Sequence, residues 1–222
     1  ISVGPPFYHR LIIPFLIPFL LIMAIGPKLK WIKSNLDDKA YLFTLLIISI
    51  LLSIFIVKNY SSNFLINSIL ISSGLYLFFI TLRDFFSKGF NNLAQNTAHF
   101  GFSLLILSIL FNNLFSTEII TNLKVGETFE NTKTKIVFEN ISQNQKKNYN
   151  SIIAKFTVQD ATGKIENLSP ELRIYNQPNI ATSEADIKTT LLSDKFIVIN
   201  VVQNQEFFNV RYQVKPFMLW IW

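Results

Sequence analysis

The sequence predicts a polytopic α-helical membrane protein with a C-terminal all-β extramembrane domain, either a small sandwich or an open barrel. Three observations predict it. Half of the 222 residues are hydrophobic and the mean hydropathy is +0.36, too apolar for a water-soluble domain of this length. Charge is unevenly spread: residues 1–115 hold three acids (Asp37, Asp38, Asp84) and eight bases, and residues 116–222 hold the other eleven acids and twelve bases. The second half also breaks into short β-branched and aromatic runs separated by turn clusters.

Four apolar spans are readable in the membrane part, residues 1–115, at about 11–25, 40–57, 64–82 and 93–115. Roughly 20 apolar residues cross a bilayer core, so each is long enough to cross or nearly so. The first contains Pro14 and Pro18, which predict a kink, and closes at Gly26-Pro27. The second carries no charge, and the third is interrupted only by Asn67, serines and Gly74. The loop at 26–39 holds Lys28, Lys30, Lys33 and Lys39, the loop at 83–92 holds Arg83 and Lys88, and the loop at 58–63 holds only Lys58. The excess of basic loop residues places the first two loops on the cytoplasmic or matrix side. Residues 1–10, the loop at 58–63 and everything after 116 then lie on the opposite face.

Residues 116–215 read as an extracytoplasmic β domain of four or more short strands. The clearest runs are 135–139, 151–158, 196–202 and 207–214, with turns expected at 140–150, 160–163 and 200–205. Residues 184–192 are expected to form one short helix. Lys215-Pro216 ends the domain, and residues 216–222 are read as the start of a further, truncated transmembrane helix, making the chain a piece of something longer.

Several function classes recede on composition. The absence of cysteine excludes disulfides, thiolate catalysis, Cys-zinc sites and covalent attachment of haem to this chain. The net charge of +6 lies mostly in short loops between apolar runs, not on a folded basic face, which argues against nucleic acid as a partner. A glycine-rich phosphate loop, a Ser-His-Asp pattern and a metal-spaced histidine cluster are all missing, so no self-contained enzyme is legible.

His99 is the main candidate. It is one of two histidines and opens the uncharged run 98–111, near the cytoplasmic end of the fourth span. Ionisable groups at membrane depth are costly and usually functional. A neutral imidazole on a stiff helix suits axial ligation of haem iron, and Ala98 and Gly101 are small enough to let a flat macrocycle or another helix approach. The other reading is an interhelical hydrogen bond, with Gln95 one turn earlier as a candidate. His9, beside Arg10, reads as a solvated loop side chain. Trp31, Trp220 and Trp222 read as interfacial belt residues. Arg173, Arg211 and Lys215 could pair with haem propionates, or with Glu171 or Asp186 inside the domain.

Several motifs, in order, resemble the cytochrome c-type biogenesis protein CcmF family of haem lyases. They begin with Ile1-Ser2-Val3-Gly4-Pro5-Pro6-Phe7-Tyr8, then Pro14-x3-Pro18, Met23-x-Ile25-Gly26-Pro27 and Trp31. Ala98-His99-x-Gly101 resembles the family's transmembrane histidine motif. Pro170-Glu171-x-Arg173-x-Tyr175, Ser183-Glu184-Ala185-x-Ile187, Arg211-Tyr212 and Lys215-Pro216-Phe217-x2-Trp220-Ile221-Trp222 are similar to its C-terminal half. A relative dedicated to nitrite-reductase cytochromes shares these motifs.

The resemblance implies a component of the cytochrome c maturation haem lyase, which helps attach haem covalently to apocytochrome c with haem-delivery and assembly proteins as partners. It implies an inner membrane, bacterial or mitochondrial, with the β domain on the periplasmic or intermembrane side. It also implies a structural haem b with His99 as one axial ligand and the second from a segment preceding Ile1, where the family's tryptophan-rich segment also belongs. Lys146-Lys147 stand where the family has glycine-proline. The alternatives are a non-enzymatic membrane scaffold that docks assembly partners, or a haem transporter subunit.

Overall fold

The computed structural model describes residues 5–28, 39–58, 60, 63–88, 93–201 and 206–222. They divide into two units, residues 1–115 with 220–222 and residues 116–219.

The first unit contains four helices, α1 (Pro5–Ile25), α2 (Lys39–Val57), α3 (Phe64–Lys88) and α4 (Leu93–Phe115), each long and apolar enough to cross a membrane. In lipid the backbone has no water to bond, so an apolar segment of this length satisfies its N–H and C=O groups as a helix. α1 continues through Pro14 and Pro18 and passes into a 3₁₀ turn, Gly26–Lys28. α3 is the central helix and packs against α1, α2 and α4. Leu20 and Ala24 of α1 bury against Tyr76, Leu77 and Ile80 of α3. Val57 of α2, Ile71 and Leu75 of α3 and Leu107 of α4 form a second cluster. The Ser53 hydroxyl in α2 donates to the Ser68 carbonyl in α3 at 2.5 Å. Gly74 brings α3 close to α4, since a Cβ there would lie 3.1 Å from Leu107 Cδ2. Phe15, Phe55 and Phe86 point outward, as lipid-facing side chains do.

α3 runs six residues past the expected end at 82 and takes Arg83 and Asp84 into the helix. The physical reason is that both find partners there. The Lys28 ammonium is ion-paired to the Asp84 carboxylate, with both side chains largely buried. The Arg83 guanidinium sits 3.5 Å from the centroid of the Tyr41 ring, and Lys28 sits 5.9 Å from it. These contacts tie the 3₁₀ turn after α1, the start of α2 and the last turns of α3 together. Asp37-Asp38 and the lysines at 30 and 33 lie outside the described residues.

The second unit is a β-sandwich of ten strands among the described residues. They are β1 (Thr117–Leu123), β2 (Thr128–Glu130), β3 (Thr134–Gln145), β4 (Tyr149–Asp160), β5 (Ile165–Leu168), β6 (Glu171–Tyr175), β7 (Ala181–Glu184), β8 (Asp186–Thr189), β9 (Ser193–Val201) and β10 (Phe208–Pro216). One sheet has the order β1-β10-β9-β8; the other has β2-β3-β4-β6-β7, with β5 also on β4. All pairings are antiparallel.

The alternating inward residues make the core. Ile136, Phe138, Phe156, Val158 and Leu168 of one sheet face Ile197, Ile199, Val210 and Tyr212 of the other, and Phe138 stacks on Phe156 with centroids 4.4 Å apart. Two expectations are corrected. Residues 184–192 are not a helix but the end of β7, all of β8 and a turn, because Asp186 to Thr189 pair with β9 in a continuous ladder. The turn expected at 140–150 is confined to 146–148: the polar side chains suggested a longer one, but β3 and β4 carry the ladder through to Gln145 and Asn150. The turn at 160–163 forms as expected, with Gly163 at φ 82° and the Asp160 carboxylate accepting from Thr162 and Lys164. After β10, Phe217 takes φ 58° and Met218–Trp220 form a 3₁₀ turn.

Between the sheets lies a charged cluster. Lys195 of β9 reaches Asp160 and Glu166 of the other sheet, each at 3.1 Å, and Lys164 pairs with Glu166 at 2.7 Å. The Thr162 hydroxyl is the main force holding the Asp160 carboxyl down at about 2; Lys195 and two backbone N–H groups add to it and together they outweigh desolvation. Burial alone would raise Glu166, but Lys164 and Lys195 hold it below its ordinary value. Burial pushes the neighbouring Tyr212 hydroxyl up to about 12.

Two outcomes follow. Asp84→Ala leaves Lys28 buried and unpaired and costs about 3 kcal/mol, measured as thermal unfolding in detergent micelles, whereas the double change Lys28→Met with Asp84→Leu recovers most of it. For the sandwich, a carboxyl held low when folded adds stability above its unfolded pKa of about 3.9 and loses it as pH falls toward about 2. The unfolding temperature of the β domain therefore drops between about pH 4 and pH 2, and Lys195→Met flattens that dependence while lowering stability at pH 7.

Candidate functional site

His99 lies in the second turn of α4, and the helix around it is fixed on two sides. Phe100 packs on Phe78 and Phe85 of α3, with centroids at 5.3 and 5.6 Å. Phe102 meets Phe19 of α1 edge to face at 5.9 Å. The buried stripe of α4 is Asn96, Ser103, Leu107 and Ser108. His99 stands on the flank of that stripe and is half-buried. It therefore points neither into the packed centre nor squarely away from it.

The polar atoms at this place are open. Neither His99 nor Gln95 has a hydrogen-bond partner among the described residues, so the bond that a structural histidine would make with Gln95 is not formed. One turn before His99, the Asn96 amide nitrogen is buried with no hydrogen-bond partner. A buried donor left unpaired costs on the order of 1–3 kcal/mol, so such atoms in folded chains call for an acceptor. Sequence reading missed Asn96. Its signal was present, an amide three residues before a membrane histidine, but asparagine is common throughout this chain.

Ala98 and Gly101 leave open space against the backbone of α4, on a face turned away from the imidazole. Helical residues are about 100° apart, which puts Ala98 about 100° and Gly101 about 160° around the axis from His99. Both are exposed, and nothing lies within 4 Å of a Cβ built on Gly101. They form an open outward face, not a shelf beside the imidazole.

The other sequence candidates separate. The backbone of His9 lies in α1, and its side chain and Trp31 lie outside the described residues. Trp220 and Trp222 are exposed. Arg173 pairs with Glu171 at 2.8 Å and lies 5.2 Å from the Tyr149 ring, as one of its two readings expected. Hydrogen bonds from Arg173 to Glu171 and Tyr175 hold its guanidinium protonated beyond its ordinary range. Arg211 pairs with Glu118, not with Glu171 or Asp186. Asp186 instead accepts from the Ser169 backbone at 2.6 Å. Asn67, the polar residue of the third span, lines a crevice of about 680 Å³ with Asn63, Asn113 and apolar residues of α1.

Residues 114–216 match the family described as the CcmF C-terminal β-sandwich. The sandwich is similar to the C-terminal domain of CcmF proteins. Over its whole length the chain is 25% identical to the cytochrome c-type biogenesis protein CcmF of Haemophilus influenzae and 24% identical to that of Escherichia coli K12. It spans 37% and 36% of those two relatives, a little over a third of their length. The solved structure of a cytochrome c haem lyase CcmF superposes with a TM-score of 0.75 over 99% of this chain and 38% of that one, at 18% identity. That likeness shows the shared fold: long apolar helices followed by an antiparallel sandwich.

Packing of α3 on α4 positions His99, and at Gly74 the two helices leave no room for a side chain. Gly74→Leu is expected to push the two helices apart and cost about 1–3 kcal/mol in thermal unfolding. Gly101→Ala, on the open face, is expected to leave stability unchanged or raise it by up to about 1 kcal/mol.

Proposed function

We propose that this chain serves in cytochrome c maturation as a component of the haem lyase, contributing one axial ligand, His99, to a haem b held in the membrane. The observation that carries the reading is the pairing of a half-buried, unpartnered imidazole with a buried, unpartnered Asn96 amide one turn away. These residues fit the group. The imidazole supplies a nitrogen ligand on a rigid helix, and the amide supplies a donor suited to a propionate or another acceptor at the rim of the ring. Phe100 and Phe102 lock the rotation of α4 and so aim the imidazole. A haem b held by His99 would supply one-electron redox chemistry at this place in the membrane.

The second axial ligand is assigned to a segment of the longer relatives that this chain does not span. The substrate is apocytochrome c, whose thiols add to the vinyl groups of haem delivered by other assembly proteins. The membrane is an inner membrane, with the β domain on the periplasmic or intermembrane side. The basic residues that favour this orientation are Arg83 and Lys88 in the last turns of α3, against the single Lys58 before its start.

The test is spectroscopic. The chain is purified together with the segments that complete the longer relatives, and bound haem is read by its absorption and by a pyridine haemochrome assay. His99→Ala is expected to abolish the b-type spectrum with the protein still present in the membrane, and added imidazole is expected to restore part of it to His99→Gly. An unchanged spectrum in His99→Ala defeats the assignment and leaves the scaffold reading.

A further inference from the structure

The hairpin β3–β4 carries an open strand edge. β2 pairs with β3 only at Lys135, Ile136 and Val137, while β3 itself continues to Gln145. Among the described residues no strand pairs with the other side of residues 140–145. The hairpin turn fixes which backbone groups are left over. Lys146 donates its N–H to the Tyr149 carbonyl at 2.9 Å, which makes 146 and 149 a hydrogen-bonded pair. Antiparallel ladders alternate, so 144 with 151, 142 with 153 and 140 with 155 are bonded pairs as well. The Ala154 N–H confirms the phase by donating away from β3, to the Pro170 carbonyl at 3.0 Å. Ile141, Gln143 and Gln145 therefore turn their N–H and C=O groups outward.

The same three residues share one face of the arm. Glu139 is an extra residue at a bulge between Phe138 and Asn140, and beyond it Ile141 packs on the core while Gln143 and Gln145 are exposed. Gln143, Asn144 and Gln145 line a hollow of about 520 Å³ with Asn150, Ser151, Ile152 and Ile174. Backbone groups ready to extend the sheet thus stand beside a recess ready for alternate side chains. That is the arrangement by which an extended peptide joins a sheet.

The charges around the edge select the occupant. Lys146 and Lys147 sit exposed at the hairpin tip and Lys155 is exposed opposite Asn140, and residues 140–145 carry no charge. The one carboxylate of the arm, Glu139 at its far end, accepts a hydrogen bond from the Thr157 hydroxyl, so the three lysines leave the edge with a net positive charge that an acidic strand complements. We propose that residues 140–145 are a docking edge for an extended, acidic polypeptide segment of a partner protein, added as a strand beside β3. This site is independent of His99.

The probe is a fluorescent peptide of about ten residues alternating valine with glutamate, and a control with lysine for glutamate, titrated onto the full chain in micelles. The acidic peptide is expected to bind at least about tenfold more tightly than the basic one, and more weakly as salt rises. It is expected to slow hydrogen exchange at Ile141, Gln143 and Gln145, whose amides exchange freely without it. Gln143→Pro removes an N–H that β4 does not use, and is expected to weaken binding at least about tenfold with the unfolding temperature kept. The pair Lys146→Glu and Lys147→Glu, which leaves the strand intact, is expected to reverse the peptide preference. Equal binding of both peptides, unaltered binding in both variants, amides already protected in the chain alone, or protection that grows with chain concentration without peptide would each overturn the proposal.

Discussion

Every backbone N–H and C=O inside a bilayer has to be bonded within its own segment, and the rest of this structure follows from that requirement. It makes the first 115 residues helical wherever they are long and apolar, and it confines open strand edges to the water-facing part. The two units obey different rules for the same atoms. In the helices each backbone group is satisfied locally, and specificity comes from small residues such as Gly74 and from the few polar side chains. In the sandwich the ladders run between distant segments, and one of them ends with its outer groups unused.

Charge follows the same division. The helical unit has few ionisable groups, and those described at its α1–α3 end are neutralised in place, Lys28 by Asp84 and Arg83 by the face of Tyr41. In the sandwich the most buried ions are also paired, but there they bridge two sheets through Lys195. Against that background His99 and Asn96 stand out. Both are polar, both lie in an apolar helix, and neither has found a partner. Groups at that depth are retained where something outside the segment bonds them.

The sequence made the helices legible because a continuous apolar run of membrane length has few other readings. The fourth span, 93–115, coincides with α4, and the third fell short only because Arg83 and Asp84 looked like loop residues. Their burial depends on Lys28 and Tyr41, far away in sequence, and no local pattern announces it. The strands were legible where Val, Ile and Phe alternate, as at 135–139 and 151–158, and illegible at 140–145, where composition argues for a turn and only pairing with β4 argues for a strand. Residues 184–192 failed for a related reason, since β8 is held by its neighbour β9 more than by its own propensity. At the candidate site His99 was visible as a lone imidazole in an apolar run. The Asn96 donor and the opposite orientation of Gly101 required the helix to be built.

Glu139 deserves a last consequence. Side chains alternate along a strand with a period of two, so the single extra residue at this bulge decides which members of the polar arm share the face of Ile141 and which face away. Lengthening or shortening β3 beyond it by one residue would put Ser142 and Asn144 on the face shared with Ile141 in place of Gln143 and Gln145, and would turn the outward carbonyls inward. A one-residue change in the length of the arm therefore alters the recess and the open edge together, whereas a two-residue change preserves the phase of both.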